Sequence, residues 1–307
     1  MVSDISIRQA SPHEASVAPP ARTRQFHPGP DFICIGMPKA GTAWLYDQLK
    51  HHPDLWMPPV KEVNYLLAGN RTMKNTIRQL GRSRKKHQSG RQLDGPDHKF
   101  LEEAAVSANE PRSFERYVSL FRFKGELLSG DVSPKYCCLE GNDIAEIARH
   151  LPGTKIVLMV RDPIARLWSG LSMLHRKEKL DLRVFDSEST FRSFLAKRGA
   201  EERMFPTAVL GRWRQHAPAL EFRFFFLDDI ESRPDEVRRD LLSFVGADPD
   251  ERSSQLSASH NRKSAAAKLP MPQSARAVLV EHFADELRAC GAQLGGAAEA
   301  WPGRYGL

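Results

Sequence analysis

Two short stretches of this chain carry residues of the types that hold phosphate. The first is Gly36-Met37-Pro38-Lys39-Ala40-Gly41-Thr42-Ala43-Trp44, which follows an apolar run and precedes a helical pattern. The N–H groups that open a helix have no partner inside it and sit at the positive end of its dipole, so such a turn attracts phosphate oxygens. Gly41 lets the backbone come close, Thr42 adds a hydroxyl donor and Lys39 adds a cation. A Walker A loop, GxxxxGK[ST], would need lysine directly after the glycine, and Thr42 stands there instead. The second stretch is Lys155-Ile-Val-Leu-Met-Val160 running into Arg161-Asp162-Pro163-Ile164-Ala165-Arg166-Leu167-Trp168-Ser169. Arg161 leaves the carboxyl end of a strand, where open α/β sheets place their ligands, and Ser169 comes two turns into the helix that follows.

The elements that must position these groups are legible as periodicity. Strands are expected over Asp31 to Gly36, Glu126 to Asp131, Lys155 to Val160 and Glu221 to Leu227. The third is an unbroken apolar run of the type buried on both faces of a parallel sheet. Helical spacing marks Thr42 to Lys50, a run through Phe114, Tyr117, Val118 and Phe121, and Asn142 to His150. It continues with Ile164 to Leu174, Thr190 to Lys197, Ala208 to His216, a helix from Pro234 to Gly246, and Ala275 to Cys290. Lys61 to Leu67 is expected to open another short element. Strands alternating with helices predict an α/β fold: three layers, P-loop-like, with a central parallel sheet flanked by helices.

The order Pro-Lys-x-Gly-Thr-x-Trp after a buried strand resembles the 5′-phosphosulfate loop of the sulfotransferases that use 3′-phosphoadenosine 5′-phosphosulfate (PAPS). Arg161 and Ser169 match the family's arginine and serine that grip the 3′-phosphate of that co-substrate. Phe226-Leu227-Asp228-Asp229, Pro234-Asp235 and Leu241 to Gly246 resemble the family's late strand and helix. His260-Asn261-Arg262-Lys263 falls where members carry a basic loop over the nucleotide, which makes Arg262 and Lys263 binding candidates. The resemblance spans roughly Asp31 to Trp301 and implies a nucleotide site made of Lys39, Ala40, Gly41, Thr42, Ala43, Trp44, Arg161, Ser169, Arg262 and Lys263. Ala40 replaces the usual serine or threonine, and Trp44 takes the position whose ring stacks on adenine in cytosolic members.

The chemistry so implied is transfer of a sulfuryl group from PAPS to a hydroxyl or amine, an in-line displacement governed by positioning and charge. Lys39 is placed to offset charge on the leaving phosphate. Lys61-Glu62-Val63-Asn64-Tyr65 resembles the Lys-Glu segment of the carbohydrate-type and bacterial branch, in which the glutamate is the base. Glu62 and Lys39 are therefore the expected catalytic pair, with Lys61 beside them. Gly130-Asp131-Val132-Ser133-Pro134-Lys135-Tyr136 resembles a segment that often reads Gly-Glu-Lys-Ser-Pro-x-Tyr. Val132 replaces its lysine, and Asp131 or Lys135 is expected to touch the acceptor. A P-loop kinase is the alternative enzyme.

Composition bounds the rest. Of 307 residues 41% are hydrophobic and 27% charged, as in an ordinary soluble enzyme. No apolar run reaches the roughly 18 to 20 residues that span a bilayer. Residues 1–30 hold five prolines and predict a disordered tail ahead of a single domain over 31–307. The formal charge of +7 is concentrated in one place. Residues 70–100 contain nine Lys/Arg against Asp94 and Asp97, so the remaining 36 basic and 36 acidic residues balance. That segment is expected to be an exposed insertion. Without interleaved aromatics it offers polyanions or nucleic acid only nonspecific attraction. Four cysteines with no CxxC and no His/Cys spacing for zinc predict incidental thiols, a reducing cytoplasm and no metal. The acceptor is expected to be a small molecule, lipid or carbohydrate, and the cell bacterial.

Overall fold

Phe32–Gly36 forms β1, every residue of it buried, and this first strand lies inside the sheet. The computed structural model describes residues 28–67, 93–198, 205–250, 256–260 and 269–307. Most of the expected tail, the greater part of the basic segment, and Arg262 and Lys263 lie outside the described residues. Gly130–Val132 (β2), Lys155–Val160 (β3) and Phe222–Phe226 (β4) complete a parallel sheet of order β2-β1-β3-β4. The α/β class and the central parallel sheet flanked by helices agree with the expectation.

Register explains one glycine. Phe32 pairs with Gly130, and a Cβ on Gly130 would fall 2.2 Å from the Phe32 ring. Only a residue without a side chain lets β2 approach β1 there. β2 is shorter than the run expected from Glu126, because Leu128 makes only an isolated bridge with Leu55.

Eight of the ten described helices follow the expected spacing, whereas Gly95–Ser107 and Leu227–Ser232 were not expected, and Leu227 opens a helix instead of ending a strand. The ten are Thr42–Lys50 (α1), Gly95–Ser107 (α2), Phe114–Ser119 (α3), Gly141–His150 (α4), Pro163–Arg176 (α5) and Glu188–Arg198 (α6). Pro206–His216 (α7), Leu227–Ser232 (α8), Pro234–Val245 (α9) and Gln273–Leu294 (α10) complete the set. Several carry their own start and stop signals. Asp162 caps α5 through bonds from the Ile164 and Ala165 N–H groups, and proline follows at the first helical position. Gly246 ends α9 in the left-handed conformation. No helix among the described residues is long and apolar enough to cross a membrane.

Two further expectations need correction. The basic insertion does not extend to Phe100. Asp94 and Asp97 form a reciprocal capping box that starts α2, and Phe100 is buried edge-on to Trp56 at 5.8 Å. Trp56 Nε1 also donates to Asp97 Oδ1 at 3.1 Å. Charge counting missed the Asp-Gly-Pro-Asp start signal that ends the insertion-like composition. Lys61 to Leu67 forms no helix or strand, because Glu62 and Asn64 take left-handed backbone angles of φ 67° and φ 53°.

Candidate active site at the carboxyl ends of β1 and β3

The chain runs outward from central β1 to β2 on one side, then crosses to β3 on the other. Such a reversal opens a crevice at the carboxyl ends of the two strands, where α/β sheets take ligands. The loop after β1 lies there. Met37 N–H bonds the Met159 carbonyl at 2.8 Å, tying the loop to β3. Gly41 precedes α1 at φ 102°, an angle that only glycine adopts freely. A Cβ at Gly41 would lie 3.2 Å from Leu227 and 3.4 Å from Ile230, so α8 forms the wall behind the loop. No side chain caps α1. Its opening N–H groups are thus left to face an anion.

Arg161 joins this loop from β3. Its Nη1 donates to the Lys39 carbonyl at 3.2 Å across 122 positions of sequence. Burial pushes the Arg161 guanidinium down from its ordinary value, against the opposing pull of Glu231, Asp162 and Asp228. No carboxylate lies within ion-pair distance of Arg161 among the described residues, so its other donors remain for an incoming oxyanion. Ser169 is partly exposed on the same helix that Asp162 caps.

Lys61 and Glu62 complete the group. Lys61 Nζ donates to Glu62 Oε1 at 3.1 Å and to Thr42 Oγ1 at 3.4 Å. The Glu62 side chain is 44% exposed and Lys61 24%. A pair this open is worth about 0–1 kcal/mol in stability, so its contribution lies in placing a carboxylate beside the loop. Thus Lys39, Thr42, Arg161, Lys61 and Glu62 gather at one edge of the sheet.

Other candidates lie differently. Trp44 is buried, and its Nε1 donates to the Ala258 carbonyl at 2.6 Å. Ala40 is buried in the loop and Ala43 is exposed on α1. Lys135 is exposed on the short 3₁₀ turn Pro134–Cys138. Asp131 does not present itself to an acceptor. It is 0% exposed and accepts from Ser133 Oγ at 2.6 Å, Tyr136 Oη at 2.8 Å and Tyr117 Oη at 3.0 Å. Burial pushes its carboxyl up to about 6, although the three hydroxyls favour the charged form.

The model of the sulfotransferase family matches residues 30–251. The chain belongs to the sulfotransferase family. Among solved structures, a sulfotransferase from Alicyclobacillus acidocaldarius is similar at a TM-score of 0.60 and 22% identity, covering 89% of this chain and 98% of that one. That likeness concerns the fold. The sulfotransferase domain of the Synechococcus PCC 7002 olefin synthase aligns at a TM-score of 0.44 and 20% identity, over 76% of this chain and 80% of that one. Sulfotransferase STF9 from Mycobacterium avium aligns at 0.40 and 12%, over 85% and 69%. No curated protein sequence matches the chain.

This sulfotransferase-family chain also brings residues to the site that sequence patterns did not flag. Tyr305 Oη donates to Asp162 Oδ2 at 2.7 Å, and Arg304 Nη2 meets Asp228 Oδ1 at 2.5 Å. The 3₁₀ turn Pro302–Tyr305 therefore packs behind Arg161, against the ends of β3 and β4. An arginine and a tyrosine more than 140 positions from Asp162 carry no local signal of such a contact. Among the described residues, no cluster of three or more His, Cys, Asp or Glu side chains could hold a metal.

Proposed function

We propose that this chain transfers a sulfuryl group from PAPS to a hydroxyl or amine of a small-molecule, lipid or carbohydrate acceptor, releasing adenosine 3′,5′-bisphosphate. The observation that supports this reading is the 3.2 Å bond from Arg161 Nη1 to the Lys39 carbonyl, which joins the loop after β1 to the residue after β3 at one crevice, as a nucleotide with two phosphate groups would need. The residues present suit the co-substrate: an uncapped helix start for one phosphate and a half-buried guanidinium for another.

PAPS would supply an activated sulfuryl group on a phosphate leaving group. The opening amides of α1 and the Thr42 hydroxyl would hold the 5′ side, and Lys39 would offset the charge growing there. Arg161 and Ser169 would take the 3′-phosphate, which fixes the nucleotide's direction along the crevice. Lys61 holds the Glu62 carboxylate toward Thr42. Glu62 would take the acceptor's proton as its nucleophilic atom bonds to sulfur.

The deciding experiment incubates the full chain with PAPS carrying labelled sulfate and a panel of sugars, lipids, phenols and amines. Label on at least one acceptor, with tight calorimetric binding of adenosine 3′,5′-bisphosphate, is the expected result. A folded chain that neither binds the bisphosphate nor moves label would reject the reading.

A further inference from the structure

The turn that carries Lys61 and Glu62 has no helix or strand to stiffen it, and two of its residues sit in a backbone region that side chains disfavour. Such a turn keeps its shape only where its surroundings over-determine it. Three backbone amides anchor it. Glu62 N–H bonds the Val132 carbonyl at 3.0 Å, Asn64 N–H bonds Ser133 Oγ at 2.9 Å, and Leu66 N–H bonds Tyr136 Oη at 3.1 Å. The last two acceptors are hydroxyls, and a hydroxyl accepts well only when its own proton points elsewhere.

Both of those protons point to one buried group. Ser133 Oγ donates to Asp131 Oδ1 at 2.6 Å and Tyr136 Oη to Oδ2 at 2.8 Å. Tyr117 is the third donor at 3.0 Å, and its ring stacks on Tyr65 of the same turn with centroids 5.6 Å apart. Asn64 Nδ2 closes the turn onto the Glu62 carbonyl at 2.8 Å. An acceptor-only carboxylate orients all three hydroxyls at once, which a neutral amide cannot do.

We propose that Asp131 is a positioning residue: through Ser133, Tyr136 and the Tyr117–Tyr65 stack it holds the Lys61–Asn64 turn, so that Lys61 and Glu62 face Thr42. What Lys61 and Glu62 do there rests on the sulfotransferase reaction proposed above, whereas the relay itself does not. The titratable groups that face Asp131 are Cys34 on β1, Tyr117 on α3, Tyr136 after β2, and Glu62 on the turn.

The test compares the full wild-type chain with Ser133→Ala, Asp131→Asn and Glu62→Gln. Amide exchange is expected to rise about 10-fold or more at Asn64 in Ser133→Ala, and at both Asn64 and Leu66 in Asp131→Asn, with β1 and β3 unchanged. For PAPS turnover with water as acceptor, Ser133→Ala is expected to lower kcat about 10-fold while KM for PAPS stays within about twofold. The same substitution adds nothing on a Glu62→Gln background, because its effect travels through Glu62. Unchanged exchange in Ser133→Ala overturns the proposal even if Asp131→Asn does not fold. An equal further loss on the Glu62→Gln background overturns it as well. If PAPS is not turned over with water, the exchange pattern alone decides the relay, and the proposed reaction stands or falls on the acceptor panel above.

Discussion

Lys61 Nζ stands 3.4 Å from Thr42 Oγ1 and 3.1 Å from Glu62 Oε1, so the first residue of α1 and the candidate base share one ammonium group. The bond joins the loop that would hold the phosphosulfate to the side from which an acceptor would approach. A cation here serves both partners of a displacement: it can steady the carboxylate and offset charge on oxygens gathered at the helix start.

Arg161→Ala is expected to weaken adenosine 3′,5′-bisphosphate by about 2 to 3 kcal/mol, the size of a charge-assisted contact to phosphate. Ser169→Ala removes a neutral donor and is expected to cost about 0.5 to 1.5 kcal/mol. Calorimetry on folded variants checks both. Equal affinities for wild type and Arg161→Ala would place the 3′-phosphate elsewhere.

Glu62→Gln keeps the shape of the side chain and removes its ability to take a proton. Single-turnover transfer at saturating PAPS is expected to slow by roughly 100-fold or more, with bisphosphate affinity unchanged. Lys39→Ala is the contrast, because it is expected to lower affinity and rate together. A fully active Glu62→Gln variant would move the base to another group.

The basic segment separates into two parts with different consequences. Replacing residues 70–92 with a Gly/Ser linker is expected to leave bisphosphate binding within a few-fold of wild type, since both phosphate motifs lie elsewhere in the sequence. Extending the replacement through Phe100 removes the Asp94 cap and the buried ring against Trp56. That is expected to cost about 4 to 6 kcal/mol, most of it from the ring. Urea melts of the two replacements distinguish them.

Asp131 gives the molecule a signed pH dependence. Its carboxyl is raised from 3.8 to about 6, so the folded state binds a proton that the unfolded chain has already released in that window. The stability associated with the protonated group is full below about pH 4 and is lost as pH rises through 6, amounting to about 3 kcal/mol. Asp131→Asn cannot titrate. The wild-type stability is therefore expected to fall by that amount, relative to the variant, between pH 4 and pH 7 in urea unfolding. A constant difference across the range would count against an uphill-ionised Asp131.

The residues that were legible in sequence are those whose signal is local. Thr42–Lys50 and Lys155–Val160 appear with the bounds expected, because apolar spacing, Gly41 and Pro163 all lie within a few positions of the element they define. Glu62 was found only through its neighbours in a resembling segment, and its left-handed backbone was not foreseen. That angle is imposed by bonds to Val132 and Ser133, about 70 positions away. Asp131 was expected at the acceptor and lies in the core for the same reason: burial is decided by Tyr117, Ser133 and Tyr136 together. Tyr305 beside Asp162 is the limiting case, a contact between the last turn and the middle of the chain.

The place of β1 in the sheet has a consequence for biosynthesis. Of the described strands it leaves the ribosome first, yet it is flanked on both sides by strands encoded later, at Gly130–Val132 and Lys155–Val160. At about 5 to 20 residues per second, the edge that takes β2 stays unpaired for roughly 5 to 19 seconds of translation and the edge that takes β3 for roughly 6 to 25 seconds. Phe-Ile-Cys-Ile is wholly buried in the finished protein and is an apolar, β-prone sequence until then. The loop that follows it cannot acquire its bond from Arg161 before residue 161 has been made. Nascent chains stalled before residue 160 should therefore be the ones that engage holdase chaperones, and those released beyond it should not.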